Sequence, residues 1–173
     1  GMVIEGSVTE GVEVRLDAGI SVERVKVGTF VTIQGSESRF FGVVTNVGLG
    51  STDPRLKFTP LPDDDPFVTE VLQGTVAFGT VSVLPQLTMP EVLGGGEPPA
   101  AAKNIPSHFS RVFSASQMDV ELVFGSEDDG NFWIGNPLDM ETKLCLDLNE
   151  LTKRSIGVFG KSGTGKTFLT RLL

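Results

Sequence analysis

The chain has 173 residues, enough for one ordinary domain or a small domain with part of a second. Hydrophobic residues make up 39% and charged residues 21%, which excludes a disordered chain, and no apolar run is long enough to span a membrane. The net charge of −8 argues against a simple nucleic-acid-binding module, yet it is unevenly spread: residues 1–100 hold 6 basic and 13 acidic side chains, net −7, whereas residues 151–173 hold five basic side chains and no acid, net +5.

The fold class expected is mainly β. A small N-terminal β-barrel over residues 2–84 is followed by a Pro/Gly-rich linker over 85–106. Residues 107–173 read as the incomplete start of an α/β domain. Gly1 stands before the first Met like a scar of tag removal and is left out of fold reasoning. No signal peptide precedes the barrel, and the one cysteine, Cys145, cannot form an intramolecular disulfide, so a reducing cytoplasm is the expected compartment.

Val12, Val14 and Leu16 alternate with Glu13 and Arg15, the period-2 pattern of a half-buried strand. Phe30–Gln34 is β-branched and ends at Gly35. Arg39–Val47 is a further strand in which Gly42 marks a bulge or bend, and Gly48–Pro54 reads as a turn cluster. Thr75–Val83 gives another strong strand. Gly6, Gly11, Gly19, Gly28, Gly35, Gly42 and Gly48 are turn punctuation between short strands, as in a small barrel or sandwich. Asp63-Asp64-Asp65, flanked by prolines, reads as a solvated loop in preference to a metal site.

Pro85, Pro90, Gly94-Gly95-Gly96, Pro98, Pro99 and Pro106 break regular structure and predict a surface connection. His108, the only histidine, has no His or Cys partner nearby and reads as a surface residue. Residues 110–125 read as a helix, with Ser114 or Ser116 as cap, Ser114-Ala115-Ser116-Gln117 as a capping box, and Gly125 as terminator. Glu127–Gly130 is a turn, Phe132–Gly135 a strand, Asn136-Pro137 a turn and Lys143–Leu148 another strand. Cys145 lies on the face opposite Leu144, Leu146 and Leu148, and with no histidine to activate it reads as a structural thiol.

The motif that carries chemistry follows. Ser155–Phe159 reads as an apolar strand. Gly160-Lys161-Ser162-Gly163-Thr164-Gly165-Lys166-Thr167 matches G-x-x-x-x-G-K-[ST] at every fixed position, and Phe168–Leu173 begins an amphipathic helix. Glycines free the backbone so that loop N–H groups can converge on phosphate oxygens, and a helix N-terminus adds free donors and partial positive charge. The whole octet, Gly160 to Thr167, is therefore the predicted nucleotide-binding site, with Lys161 and Ser162 serving through their backbone. Lys166 is the catalytic cation on the β- and γ-phosphates, and the Thr167 hydroxyl is a ligand of Mg²⁺, the cofactors being ATP and Mg²⁺. Hydrolysis also needs an acidic residue at the end of a second core strand, and no strand follows Thr167. Residues 107–173 are therefore expected to be the truncated start of a P-loop α/β ATPase domain, a piece of a longer ATPase that does not itself hydrolyse ATP.

The order barrel, linker, helix, hairpin, strand and P-loop resembles the HerA-like ATPases of the HerA/FtsK superfamily. Phe132–Gly135, Leu144–Leu151 and Arg154–Thr167 carry the resemblance at the C-terminal end. Val27–Ile33 and Phe41–Val47 look like the HAS barrel shared with ATP-synthase subunits. Ser162 departs from the usual loop, which has Thr at that position. The resemblance implies a DNA translocase or helicase-type motor working as a homo-oligomeric ring, usually a hexamer. It implies double-stranded DNA contacted by motor parts that this sequence does not contain, a nuclease as a further partner, and no membrane. The acidic barrel would then serve ring assembly or partner docking. Two alternatives stand beside this reading: a rotary ATP-synthase-type subunit, and a non-enzymatic barrel adaptor with a vestigial P-loop.

Overall fold

A computed structural model describes residues 1–53, 76–89, 98–128, 130–137, 139–153 and 155–172. Seven antiparallel strands make the main sheet: β1 (Met2–Ser7), β2 (Gly11–Arg15), β3 (Phe30–Gln34), β4 (Arg39–Ser51), β5 (Ala77–Met89), β6 (Ala100–Ala101) and β7 (Arg111–Ser114). The pairings run round a ring, β1–β2–β5–β4–β3–β7, with β6 appended to the far end of β5. The ring is barrel-like without being fully zipped. Between β1 and β7 a single residue pair, Met2 with Arg111, stands in register, helped by backbone bonds such as Val3 N–H to the Ser110 carbonyl at 3.0 Å.

The inward faces supply a core of small β-branched side chains, Val3, Val12, Val14, Val31, Ile33, Val44, Val81, Val83 and Val112, with Phe40. The expected alternation in β2 is what the barrel uses: Val12 and Val14 are buried and Glu13 and Arg15 face outward, where the Arg15 guanidinium lies 4.3 Å from the Phe78 ring centre. Because successive strand residues point to opposite faces, Phe40 fills the barrel while Phe41 points outside it. A second apolar cluster forms there, from Phe41, Met89, Ala115 and Val120.

Several elements differ from the expectation. β4 does not turn at Gly48. It continues to Ser51 as a two-stranded ribbon with β5, in which Gly50 lies opposite Phe78. A side-chain carbon at Gly50 would stand 2.5 Å from the Phe78 ring, which is why glycine suits that site. β5 likewise runs through Pro85 to Met89, so the stretch read as linker begins as strand. Pro85 has no N–H to offer a ladder, and it is tolerated because it faces Gly42 where the register shifts, the bulge that Gly42 marked in the sequence. Further on, Ala100–Ala101 pairs with β5, and Ala102 and Ile105 pack against the barrel core. Residues 111–114 are strand, not helix: pairing with β3, Val31 to Ser114 through Gln34 to Arg111, overrides their local helical reading. The Asp63-Asp64-Asp65 loop, Pro90 and Gly94–Gly96 lie outside the described residues.

Beyond the barrel, α1 (Gln117–Phe124) carries a capping box, but with Ser116 and Asp119 in place of Ser114 and Gln117. Gly125 ends the helix at φ +77°, as expected. A separate hairpin follows, β8 (Asn131–Gly135) with β9 (Leu144–Asp147), then the short α2 (Leu148–Thr152) and α3 (Lys166–Leu172). Asp147 caps α2, accepting from the N–H groups of Asn149 at 2.7 Å and Glu150 at 3.1 Å. No helix among the described residues is long and apolar enough to cross a membrane.

Candidate phosphate-binding loop

The hairpin precedes the loop in the chain, with α2 and irregular residues between them. Asp128 shapes its entry: one carboxylate oxygen accepts from the N–H groups of Gly130 at 2.8 Å and Asn131 at 2.9 Å, and these bonds hold its pKa below the usual range. In β9 Cys145 is 1% exposed, and burial pushes its thiol pKa up, which suits a structural residue and not a nucleophile. Trp133, the cross-strand partner of Cys145, is half exposed, its indole N–H donating to the Gly135 carbonyl at 2.8 Å and the Asn136 side chain at 3.0 Å. The ammonium of Lys143 stands 5.6 Å from the Trp133 ring centre and pairs with Glu127.

Ser155–Phe159 is irregular chain and not the expected strand. An apolar, β-prone segment becomes a strand only when a neighbour takes up its backbone groups, and no strand lies beside it among the described residues. Ile156 is half exposed and Phe159 is 93% exposed.

The octet Gly160–Thr167 forms a turn that delivers the chain into α3. Gly163 and Gly165 both adopt φ +83°, the left-handed region that side chains disfavour. At Gly160 a side-chain carbon would stand 2.9 Å from the Thr164 hydroxyl oxygen, so the Thr164 side chain would have to shift to admit one. The Lys161 carbonyl is the hub of the loop: it accepts from the Thr164 hydroxyl at 2.7 Å and from the Lys166 ammonium at 2.5 Å. Lys166 is half-buried and thus curls back over the turn, while Lys161, Ser162, Thr164 and Thr167 are exposed. The first helical bond runs from Leu169 N–H to the Gly165 carbonyl at 3.0 Å. The N–H groups of Lys166, Thr167 and Phe168 open the helix without acceptors within it. A compact cation, a hydroxyl and several backbone donors therefore occupy one small exposed turn. The fixed positions of the motif lie in this one turn.

Sequence reasoning missed two residues that fix the surroundings of this segment on the barrel, Asp119 and Asp139. For Asp119 the signal was present, an acid three residues after Ser116. Asp139 sits in a loop and meets its partners more than a hundred residues away in the chain, which no local pattern reveals.

Two family models match the chain. Residues 1–82 match the HAS barrel domain, and residues 132–173 match the central domain of helicase HerA. No curated protein matches the chain.

Proposed function

We propose, for a chain that carries a HAS barrel followed by the start of a HerA-type P-loop ATPase domain, that Gly160–Thr167 bind ATP with Mg²⁺ and that the parent protein is a motor translocating double-stranded DNA. The observation that carries the reading is the loop itself. The left-handed Gly163 and Gly165, the crowded Gly160 and the helix start at Lys166 fit a polyphosphate that needs close backbone donors. ATP with Mg²⁺, when bound, supplies the phosphoanhydride whose cleavage drives such motors. Lys166 provides the cation for the β- and γ-phosphates after leaving the Lys161 carbonyl, and the Thr167 hydroxyl provides the metal ligand. Lys161, Ser162 and Thr164 serve through backbone N–H groups.

Residues 1–173 bind nucleotide in this reading, while hydrolysis also needs an acid at the end of a further core strand. The barrel, taken with β5 to Met89 and with β7, serves assembly of a homo-oligomeric ring, a hexamer by the family's habit, or docking of a partner such as a nuclease. The net −7 of residues 1–100 supports a barrel that does not itself grip DNA. The test is Lys166→Ala in the full-length protein. ATP turnover is expected to fall roughly a hundredfold or more, as when a main electrostatic contact to a reacting group is removed. Unchanged turnover refutes the motor reading and leaves the barrel as an adaptor.

A further inference from the structure

The segment between barrel and loop is fastened to the barrel at two charged points and one aromatic one. Asp119, in the first turn of α1, is 1% exposed. Its Oδ2 accepts from the Ser116 N–H at 2.8 Å and the Ser116 hydroxyl at 2.7 Å. Its Oδ1 makes no aligned hydrogen bond, but the guanidinium of Arg39, at the start of β4, lies 2.6 Å away as an ion pair. Asp139, in the loop between β8 and β9, accepts from Lys26 at 2.5 Å and the Thr29 hydroxyl at 2.7 Å, both just before β3. Between these points Phe124 of α1 packs on Phe30 and Phe41, with ring centres 5.4 and 6.2 Å apart. The other side of α1 packs against β9, the strand of buried Cys145.

The two charged points differ in kind. Lys26 is well exposed, so its pair with Asp139 is screened and replaceable by water. The carboxylate of Asp119 is withdrawn from solvent, and among the described residues its countercharge is Arg39. Removing that partner strands a buried charge, which is far costlier than losing an exposed pair. We propose that Arg39 and Asp119 form a latch that holds α1, and through α1 the β8–β9 hairpin, as one body with the barrel. Asp119 is then a positioning residue, coupling barrel movements to the hairpin that precedes the loop. Only this last step, that the coupled body carries a nucleotide loop, rests on the function proposed above.

Cys145 is the sole cysteine of the chain and reports directly on the latch. In the 173-residue chain without nucleotide, labelling by a maleimide is expected to be slow. Arg39→Met should speed it about tenfold or more, because opening of the α1–β9 contact becomes easier. Arg39→Met combined with Asp119→Asn should return most of that protection, since Asn keeps an oxygen for the Ser116 N–H and leaves no buried charge. The rescue separates a latch from mere loss of packing, and it is readable even if Arg39→Met alone unfolds. A wild-type labelling rate in Arg39→Met, or a double variant that labels as fast as Arg39→Met, overturns the proposal. Nucleotide binding by a Lys166→Ala chain is a separate measurement, so failure of the loop reading leaves this result intact.

Discussion

Gly11 and Gly19 offer a controlled comparison, because both are left-handed and only one is crowded. Gly11 starts β2 at φ +84°, and a side-chain carbon there would lie 2.5 Å from the Val83 carbonyl oxygen and 3.3 Å from the Leu84 Cα. Gly19 has φ +89° in the turn after β2, and a side-chain carbon there would meet nothing within 4 Å. Alanine at Gly19 therefore meets backbone strain alone, about 1–2 kcal/mol, partly offset by the lower entropy of the unfolded chain, for a net loss of about 1 kcal/mol. Alanine at Gly11 meets the same strain and also falls about 0.8 Å short of an ordinary C···O contact with strand backbone that cannot rotate away. Relief requires β2 and β5 to part where Val12 pairs with Val83, an overpacking cost of about 1–3 kcal/mol more. Urea unfolding followed by far-UV circular dichroism measures both variants, with unchanged slopes confirming that midpoints report stability. Losses equal to within about 0.5 kcal/mol would refute the crowding argument and the β2–β5 closure behind it.

Two further substitutions test the segment beyond the barrel. Lys26 first, and then Thr29, hold the Asp139 carboxyl below its ordinary range, so its stabilising effect is complete above the ordinary pKa of about 3.9 and is lost as pH falls through the lower folded-state value. Wild type is expected to exceed Asp139→Asn in stability at pH 7 and to converge with it in strong acid, as read by unfolding midpoints across that range. Ser116→Ala removes an oxygen that accepts from the Asp119 N–H at 3.2 Å and a hydroxyl that donates to its carboxylate, and should cost about 1–2 kcal/mol by thermal melting. Ser114→Ala, at the residue the sequence offered as an equal cap, should stay within about 0.5 kcal/mol of wild type.

What was legible in the sequence is what local patterns decide. The alternation Val12, Val14 and the run Phe30–Gln34 fixed strands and their buried faces, and Gly42 marked a true bulge. The octet Gly160–Thr167 forms a local turn into a helix because its glycines are contiguous with the helix start. The misreadings share a different cause. Gly48, Pro85 and Arg111–Ser114 all have poor or ambiguous local strand character, and each is drawn into the sheet by a partner distant in sequence. Arg39–Asp119 and Lys26–Asp139 span 80 and 113 residues, so their pairing exists only in the folded arrangement.

Ser155–Phe159 shows the converse, a strong local signal that the fold does not honour. Its apolar residues suit a strand, yet strand geometry leaves N–H and C=O groups that need a neighbour, and without one irregular chain in water is no worse. The consequence reaches the loop. Phe159 at 93% exposure and Phe168 at 70% flank the octet on both sides, and burying either against apolar surface would contribute about 1.5–3 kcal/mol. The left-handed Gly163 and Gly165, with the Lys161 carbonyl accepting from Thr164 and Lys166, set the shape of the turn. Its rigidity would rise with cover for those two rings. Shape and stiffness of the turn are thus separable: the first is set within eight contiguous residues, and the second would grow with burial of Phe159 and Phe168.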